Sequence, residues 1–431
     1  MAGKIFDVAI VGAGAAGLGA AREARDRGLS YVVLEAMDRI GGRAHTESTT
    51  FGHAWDRGCH WLHSGSRNPF RMLADEYGFR YATGNPARVS HLGDRWASPE
   101  EETRIAAETE VEHAKIFAAG ERGQDVAASE VVDLASPWIA LIRTAYAGEW
   151  SVDLTQVSTA DNIAYDDTHE NWPVEDGYGA LVARHAEGIE VALSTPVERI
   201  SWGGPVVRLA TPAGEVEARA VIVTVSTRII QDDVIAFDPP LPSWKREAYD
   251  AITLGNANKI SFAIPREELG PTDSTQASGV WSKVDEHQGM WFQMGAFGQG
   301  MANGYVGGAL GLETELAGEA AMLALGRDAL ARMYGSDILS KITVAACSMW
   351  TSEPWIRGAY GAAKPGKAHL RADLATPVGD QLFFAGEATS TDWFSTAHGA
   401  HLSGVAAVEA VTDARDHGGV PFSGVGMTSR G

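Results

Sequence analysis

The chain has 431 residues, 45% of them hydrophobic, which is enough apolar surface for two soluble domains or one elaborated one. Its 35 basic and 56 acidic residues leave a formal charge of −21, which argues against nucleic acid and anionic membrane surfaces as partners. No run of about 18 apolar residues occurs, so no membrane span is expected. Two cysteines, Cys59 and Cys347, are too few for a disulfide framework, so a reducing, cytoplasmic setting is expected.

The N-terminus opens directly on a core strand, Ile5 to Val11, and not on a secretory leader. A glycine loop follows, Gly12-Ala-Gly14-Ala-Ala16-Gly17, and Ala15 to Arg27 reads as a helix with alanine at the packing positions. Gly12 suits a tight turn, Gly14 lets backbone approach a pyrophosphate, and Gly17 lets the helix press on the strand. Helix N-terminal amides favour a diphosphate. Tyr31 to Leu34 is a second strand, and Glu35 closes it where a carboxylate accepts ribose hydroxyls. A carboxylate there disfavours a 2′-phosphate, so NADP is not expected. The competing reading of the same residues is a glycine-rich turn that merely packs a βαβ unit.

Gly41-Gly42-Arg43 comes next, then Trp55-Asp-Arg-Gly58-Cys-His60-Trp61-Leu-His63-Ser64. Two histidines and two tryptophans so close to a glycine suit either a loop lining a planar ligand or a buried aromatic turn. His60 and His63 lack cysteine or carboxylate partners at ligand spacing, so no metal site is expected. Asn68-Pro69 opens a helix through about Tyr77. Residues 95–150 read as mainly helical, with Pro99-Glu-Glu-Glu102 an acidic first turn. Asp161 to Tyr178 is polar and aromatic; it reads as an exposed loop, or as a source of carboxylates for a cationic substrate.

From Gly188 to Val225 short strands flank a turn at Pro212-Ala-Gly214. Ala220 to Val225 is apolar throughout, as a strand covered on both faces would be. In Asn256 to Ile264 the pattern alternates: Ile260, Phe262 and Ile264 share one face, Lys259 and Ser261 the other. Lys259 therefore points to solvent or to a polar cavity, solvent being the simpler expectation. Gly304 to Ala309 reads as a strand, and Glu315 to Tyr334 as a helix with Leu316, Leu323, Leu330 and Met333 inward. Gln381 to Ala385 is a buried strand with a tight exit at Gly386-Glu387-Ala-Thr389. A last helix begins near Ala397, carrying Gly399, Ala400, Ser403, Gly404 and Ala407, small residues that permit close approach to a neighbouring backbone. Its N-terminal amides suit an anionic group. Residues 416–431 read as a flexible tail.

Taken together these blocks resemble the flavin-containing amine oxidases, the monoamine and polyamine oxidases and their relatives. The resemblance rests on Val11 to Gly17, Leu34 to Arg43, Gly58 to His63, Thr195-Pro-Val197, Asn258-Lys259-Ile260, Trp350 to Pro354, Gly358-Ala-Tyr360, Phe384 to Thr389 and His398 to Gly404. The last stretch looks most like polyamine oxidases. It implies an α/β fold: a Rossmann-like FAD-binding domain (1–78, 177–252 and 351–415) interrupted by an α+β substrate-binding domain (79–176 and 253–350).

The resemblance also implies roles. Glu35 would hold the adenosine ribose, Arg43, Gly42 and the loop from Gly12 through Gly14 and Ala16 to Gly17 the pyrophosphate, and Val197 the adenine. Gly386 and Glu387 would lie near the ribityl chain, Ala397 near flavin O2, and Trp61 and Trp350 beside the ring. Lys259 matches the lysine that holds a water at flavin N5, which replaces the solvent reading. His63 falls on the substrate side of the ring, and Tyr360 on one wall of an aromatic cage. Three departures stand out. Ala359 occupies the place of the flavin-bonding cysteine, so FAD is expected to be non-covalent. Thr396 occupies the place of the second cage aromatic, leaving Trp393 or Phe394 to complete it. Met37 replaces an arginine found after the Glu-Ala pair.

The reaction expected is hydride transfer from the α-carbon of a primary or secondary amine to flavin N5, hydrolysis of the imine, and reoxidation by dioxygen to hydrogen peroxide. The half-open cage and the acidic charge lean towards a di- or polyamine or a bulky monoamine. The alternatives are an L-amino-acid oxidase, with Arg67, Arg71 or Arg357 taking the carboxylate, an amine dehydrogenase, and a non-catalytic flavin-binding partner protein. A homodimer is compatible with the sequence, which does not fix the assembly.

Overall fold

A computed structural model describes residues 4–84, 88–269 and 278–416; the tail expected beyond residue 416 lies outside the described residues. Two sheets organise the chain. The first is seven-stranded, and its parallel centre sets Tyr31–Leu34, Ile5–Val11, Gly214–Val223 and Leu382–Phe384 side by side. From Val8 to Val11 the strand Ile5–Val11 is buried on both faces: Val8 and Ile10 join one apolar core, Ala9 and Val11 the other. Burying one such Val or Ile side chain stabilises by about 1.5–3 kcal/mol, so the second half of this strand has no solvent face to slip towards. Gly214–Val223 is the longest strand; its start pairs with Val207–Thr211 across the expected turn and its end with Leu382–Phe384.

The second sheet has six strands drawn from residues 88–91 and 257–347, antiparallel except where Arg88–His91 joins Ser278–Lys283. One face, with Ile260, Phe262, Phe292 and Met294, packs on the helix Glu319–Tyr334 as a third core. The opposite face carries Lys259, Ser261, Gln293, Asn303 and Tyr305, brought into line by the register of Ala257–Ala263, Gly289–Met294 and Met301–Gly307.

Two expectations change. Glu315 to Tyr334 is two helices, Gly308–Leu316 and Glu319–Tyr334, separated at Gly318 with φ +97°. The break resets the helical phase, so Leu316 is 70% exposed while Glu315 turns inward. Asp161 to Tyr178 is not an exposed loop: it holds the end of the helix Thr159–Ala164, the short strand Asn171–Pro173 and the start of Tyr178–His185, and Asp161 is buried. The long acidic helix appears as Pro99–Glu121, capped by Ser98, whose side chain accepts from the Glu101 amide while Glu101 accepts from the Ser98 amide.

The two ends of the chain pack on each other. The opening helix Ala15–Asp26 lies against the closing helix Ala397–Asp416. A Cβ on Gly404 would stand 2.0 Å from the Ala16 carbonyl oxygen, and one on Gly19 would stand 2.7 Å from His401. Small residues at these positions are what lets the backbones approach, as the sequence pattern indicates.

Candidate active site

At the first sheet's carboxyl edge, Gly12 turns the chain at φ +104°, and a Cβ there would stand 2.7 Å from Thr224 Oγ1. Gly14 caps the opening helix without a side chain, and a Cβ there would meet nothing nearer than 4.0 Å. Its open side leaves the first-turn amides free to face a diphosphate. Gly17 acts differently, because its Cβ would stand 1.9 Å from the Gly12 carbonyl oxygen, so it sets the helix on the turn. Ala16 is buried beside it, and Gly42, φ +56°, lies against Gly14.

Glu35, at the end of Tyr31–Leu34, is buried and accepts from the amides of Ala13 (2.6 Å) and Met37 (2.8 Å). Burial pushes its carboxyl up, against those hydrogen bonds and the charge of Arg39. The Thr195 amide bonds the Glu35 carbonyl oxygen at 2.8 Å, which brings buried Val197 alongside the same edge. These residues fit a dinucleotide: glycine cradle, uncapped helix and carboxylate stand in that order at one sheet edge.

Further along, sequence-distant segments converge. Arg43 donates to the Ala359 carbonyl oxygen and, at 3.0 Å, to Glu387. The other oxygen of Glu387 accepts from the amides of Gly361 (3.2 Å) and Ser395 (3.1 Å), and Gly386, φ +140°, is tied to Ser403. A Cβ on Gly58 would stand 1.8 Å from the Arg43 carbonyl oxygen and 3.1 Å from the Trp350 ring. The Trp350 amide is fixed by Asn258 at 3.1 Å. One buried carboxylate thus joins the opening loop, the Tyr360 turn and the entry to the closing helix, where Ala397 begins the helical backbone.

Lys259 is buried, not solvent-facing. Its Nζ donates to the Asp56 carbonyl oxygen at 2.7 Å and lies 5.5 Å from the Tyr305 ring centre. Burial pushes the amine down to about 8, against the pull of Asp56 and Cys59. Asp56 in turn accepts from the amides of Tyr178 (3.1 Å) and Gly179 (3.3 Å), from Thr46 and from His60 Nδ1 (2.8 Å). Desolvation opposes its ionisation, but His60, Lys259 and Thr46 hold the carboxyl below its ordinary value.

His63 lies on the strand Trp61–His63 and shares a hydrogen bond with Asn171 of the strand opposite. Burial lowers its ring, with Asn171 opposing. His398 packs on Trp393 with ring centres 5.5 Å apart and is pushed down to about 3, chiefly by burial, with His63 acting in the same direction. Trp61 leans on Trp291 at 6.0 Å. Tyr360 donates its hydroxyl to the Gly148 carbonyl oxygen at the end of the helix Ile139–Trp150. Burial raises its phenol, with Glu149 and Glu387 acting in the same direction.

Of the two aromatics that stand near Thr396, Phe394 is buried in a core with Trp150 and Tyr165. Trp393 lies between Arg67, 5.8 Å from its ring, and His398. Thr396 is committed to the backbone: its hydroxyl donates to the Trp393 carbonyl oxygen at 2.6 Å and accepts from the Gly399 amide at 2.9 Å, capping the closing helix. Sequence reasoning places His60 in a loop that lines a planar ligand or turns into a core, but misses its partner Asp56, and Gln293 and Tyr305. Only the second sheet's register puts Gln293 and Tyr305 on the Lys259 face, and an acid at Asp56 beside Trp55 was the one signal in the sequence.

The comparisons accord with this geometry. A family model described as flavin containing amine oxidoreductase matches residues 86–412, and an NAD(P)-binding Rossmann-like model matches residues 10–77. Polyamine oxidase 4 of Oryza sativa subsp. japonica is 28% identical, covering 93% of this chain and 88% of its own. Human peroxisomal N(1)-acetyl-spermine/spermidine oxidase is 29% identical, covering 92% and 93%. Mouse lysine-specific histone demethylase 1B is 25% identical over 92% of this chain, which spans only 52% of that longer protein. Among solved structures, wild-type putrescine oxidase bound to putrescine matches 95% of this chain and 99% of its own, with a TM-score of 0.78 at 23% identity, a likeness of fold. No helix among the described residues is long and apolar enough to cross a membrane. With a family match over most of its length and a dinucleotide cradle of the right form, the chain belongs to the flavin-containing amine oxidoreductase family, and FAD is its cofactor.

Proposed function

We propose that this protein is a flavin-dependent oxidase of small amines, with di- or polyamines as the leading substrate class and non-covalent FAD. The observation that carries this reading is the buried Lys259 amine held by the Asp56 carbonyl oxygen, on the face of the second sheet opposite its apolar core. Relatives named for polyamine and acetyl-spermine/spermidine oxidation support the substrate class. Ala359 in place of a cysteine supports non-covalent binding. We read residues 1–78, 177–252 and 351–415 as the FAD-binding part and 79–176 with 253–350 as the substrate-binding part.

In this reading Glu35 takes the ribose, the Gly12–Gly17 turn with Gly42 and Arg43 takes the diphosphate, and Val197 flanks the adenine. Gly386, Glu387 and the Ala397 amide serve the ribityl and ring end, with Trp61 and Trp350 beside it. When bound, FAD supplies the hydride acceptor and passes the electrons to dioxygen, giving hydrogen peroxide. The chain supplies position. Tyr360 and Trp393 form the walls that hold the amine with its α-carbon about 3–3.5 Å from the acceptor atom. His63 and Asn171 would fix the side from which it enters, and Thr396 caps the closing helix whose N-terminus would face the cofactor. Lys259, buried and easily deprotonated, holds a proton at the acceptor edge for the oxygen reaction. The aromatic surroundings exclude water and lower the substrate's own ammonium pKa.

An amine panel headed by putrescine and spermidine, scored by peroxide release and by anaerobic bleaching of the bound flavin, tests the reading. Bleaching with peroxide in air supports it. Bleaching without peroxide would make the protein a dehydrogenase, and bleaching only by α-carboxylated amines would make it an amino-acid oxidase.

A further inference from the structure

A narrow cleft runs in from the surface to Lys259, with room for about one water molecule. His53, Ala54, Phe297 and Gln299 stand at its partly exposed end, and buried Trp55, Ala296 and Met301 wall it further in. Its inner end is the Lys259 amine, held by the Asp56 carbonyl oxygen. Tyr360, His63 and Trp393 do not line it, so it is separate from the side on which the amine is read to bind. One wall is the turn between the strands Gly289–Met294 and Met301–Gly307, closed by the Gly295 amide on the Met301 carbonyl oxygen at 2.8 Å. Phe297 sits in that turn at φ +56°, left-handed backbone that a residue with a side chain adopts at a cost. What the strained residue contributes is a ring in the lining of the cleft mouth.

We propose that this cleft is the entrance by which dioxygen reaches the acceptor edge at Lys259, apart from the entrance the amine uses. The inference rests on the oxidase reading above. Size decides which molecule fits: a passage about one water wide admits dioxygen and lets hydrogen peroxide out, but does not pass a solvated alkylammonium. Charge decides in the same direction, because the Lys259 ammonium at the inner end repels a cation and leaves an uncharged molecule alone. Walls of Trp55, Ala296, Phe297 and Met301 suit an apolar molecule that has no hydrogen bonds to lose. Passage makes and breaks no bond; it serves the reduction of dioxygen to hydrogen peroxide already stated. After hydride loss the imine still lies between Tyr360 and Trp393 in this reading. An entrance on another side lets reoxidation begin before that product departs.

The test fills the cleft and follows reoxidation of the holoprotein. Stoichiometric dithionite reduces the bound FAD whatever the amine substrate is, and stopped-flow mixing with dissolved oxygen then reads reoxidation alone. Ala54→Leu and Ala296→Leu should each slow it by about tenfold or more, the factor expected where an added side chain must be pushed aside. Anaerobic bleaching by whichever amine bleaches wild type best should keep its rate in both. Ala54 is partly exposed, so its variant has room to fold where buried Ala296 has less. Phe297→Gly, which keeps the left-handed turn and removes the ring, should reoxidise at least as fast as wild type. Dioxygen is also paramagnetic. In oxidised holoprotein under oxygen, the Met301 and Ala296 methyl signals should therefore relax faster than that of Met290, sealed in the core on the other face of the sheet. Folded, flavin-loaded leucine variants that reoxidise at the wild-type rate, an equal loss in both half-reactions, slower reoxidation in Phe297→Gly, or no excess relaxation at Met301 and Ala296 would each overturn the assignment alone. Wild-type holoprotein that no amine bleaches, or that oxygen fails to reoxidise after dithionite, would instead overturn the oxidase reading and this inference with it.

Discussion

Arg371 and Asp161 form a two-pronged ion pair inside the protein: Nε reaches Oδ1 at 2.8 Å and Nη2 reaches Oδ2 at 2.6 Å, with both side chains all but sealed from solvent. Asp161 also accepts from the Ala363 amide at 2.8 Å. Arg371 also donates to the carbonyl oxygens of Ala388 and Gly361, and its guanidinium lies 3.8 Å from the Phe394 ring centre. The pair therefore fastens the helix Thr159–Ala164 to the turns that carry Tyr360 and Glu387. Breaking such a pair from one side leaves a buried, unpaired charge at a cost of about 3–5 kcal/mol. Asp161→Leu should accordingly lower the thermal midpoint sharply and weaken FAD retention on gel filtration. A variant that melts with wild type would show the pair to be dispensable.

Glu315 is a buried carboxylate held by neutral donors. It accepts from Asn256 (2.6 Å), Asn258 (2.7 Å) and the Ser352 amide (2.6 Å), and Asn258 passes its own carbonyl oxygen to the Trp350 amide. Replacing an acceptor by an amide sets donor against donor. Glu315→Gln is expected to cost about 1.5–3 kcal/mol, the worth of hydrogen bonds to a charged group. It should also perturb the flavin absorbance, because Trp350 loses its fixed amide. Denaturant unfolding together with the visible spectrum of the holoprotein checks both parts.

Much of this arrangement was legible along the chain, for a physical reason. A glycine loop between an apolar strand and an alanine-rich helix, or a small-residue helix after a tight exit, is dictated by local backbone demands and needs no partner to be recognised. What escaped the sequence depends on tertiary choice. Alternation in Ala257–Ala263 gives the face of Lys259 correctly, but not whether water or protein covers that face. An unbroken helical phase would turn Leu316 inward, and Gly318 interrupts that phase. Asp161 looked like a loop acid because its partner stands 210 residues away. Trp393 and Phe394, adjacent in sequence, part company: one turns to the His398 side and the other into a core.

The cap and the cage separate by mutation. Thr396 spends its hydroxyl on the closing helix, so Thr396→Ala should destabilise by about 1 kcal/mol, the usual worth of an N-cap, while the ranking of amine substrates stays as in wild type. Trp393→Ala should do the converse, raising KM for every amine with little change in the melting temperature. Thermal melts and steady-state kinetics on the same two preparations decide it. A change of substrate ranking in Thr396→Ala would return that residue to the cage.

Lys259 makes stability depend on alkaline pH. Its amine titrates at about 8 in the folded chain against 10.5 for an unperturbed lysine, and burial is the main cause. Below pH 8 both folded and unfolded chains hold the proton, and the folded chain bears the whole cost of the buried ammonium. Between pH 8 and 10.5 the unfolded chain binds more protons, so stability rises with pH across that window. Above it the cost is gone. The rise is on the order of 3 kcal/mol at 1.36 kcal/mol per pKa unit. Lys259→Met has no such group, so the difference in unfolding free energy between wild type and variant should climb through this window, other titrations cancelling. Paired denaturant titrations of the flavin-loaded proteins at pH 7.5, 9 and 10.5 measure it. A difference that stays flat would place the Lys259 amine in contact with water and remove the basis for its role at the acceptor edge.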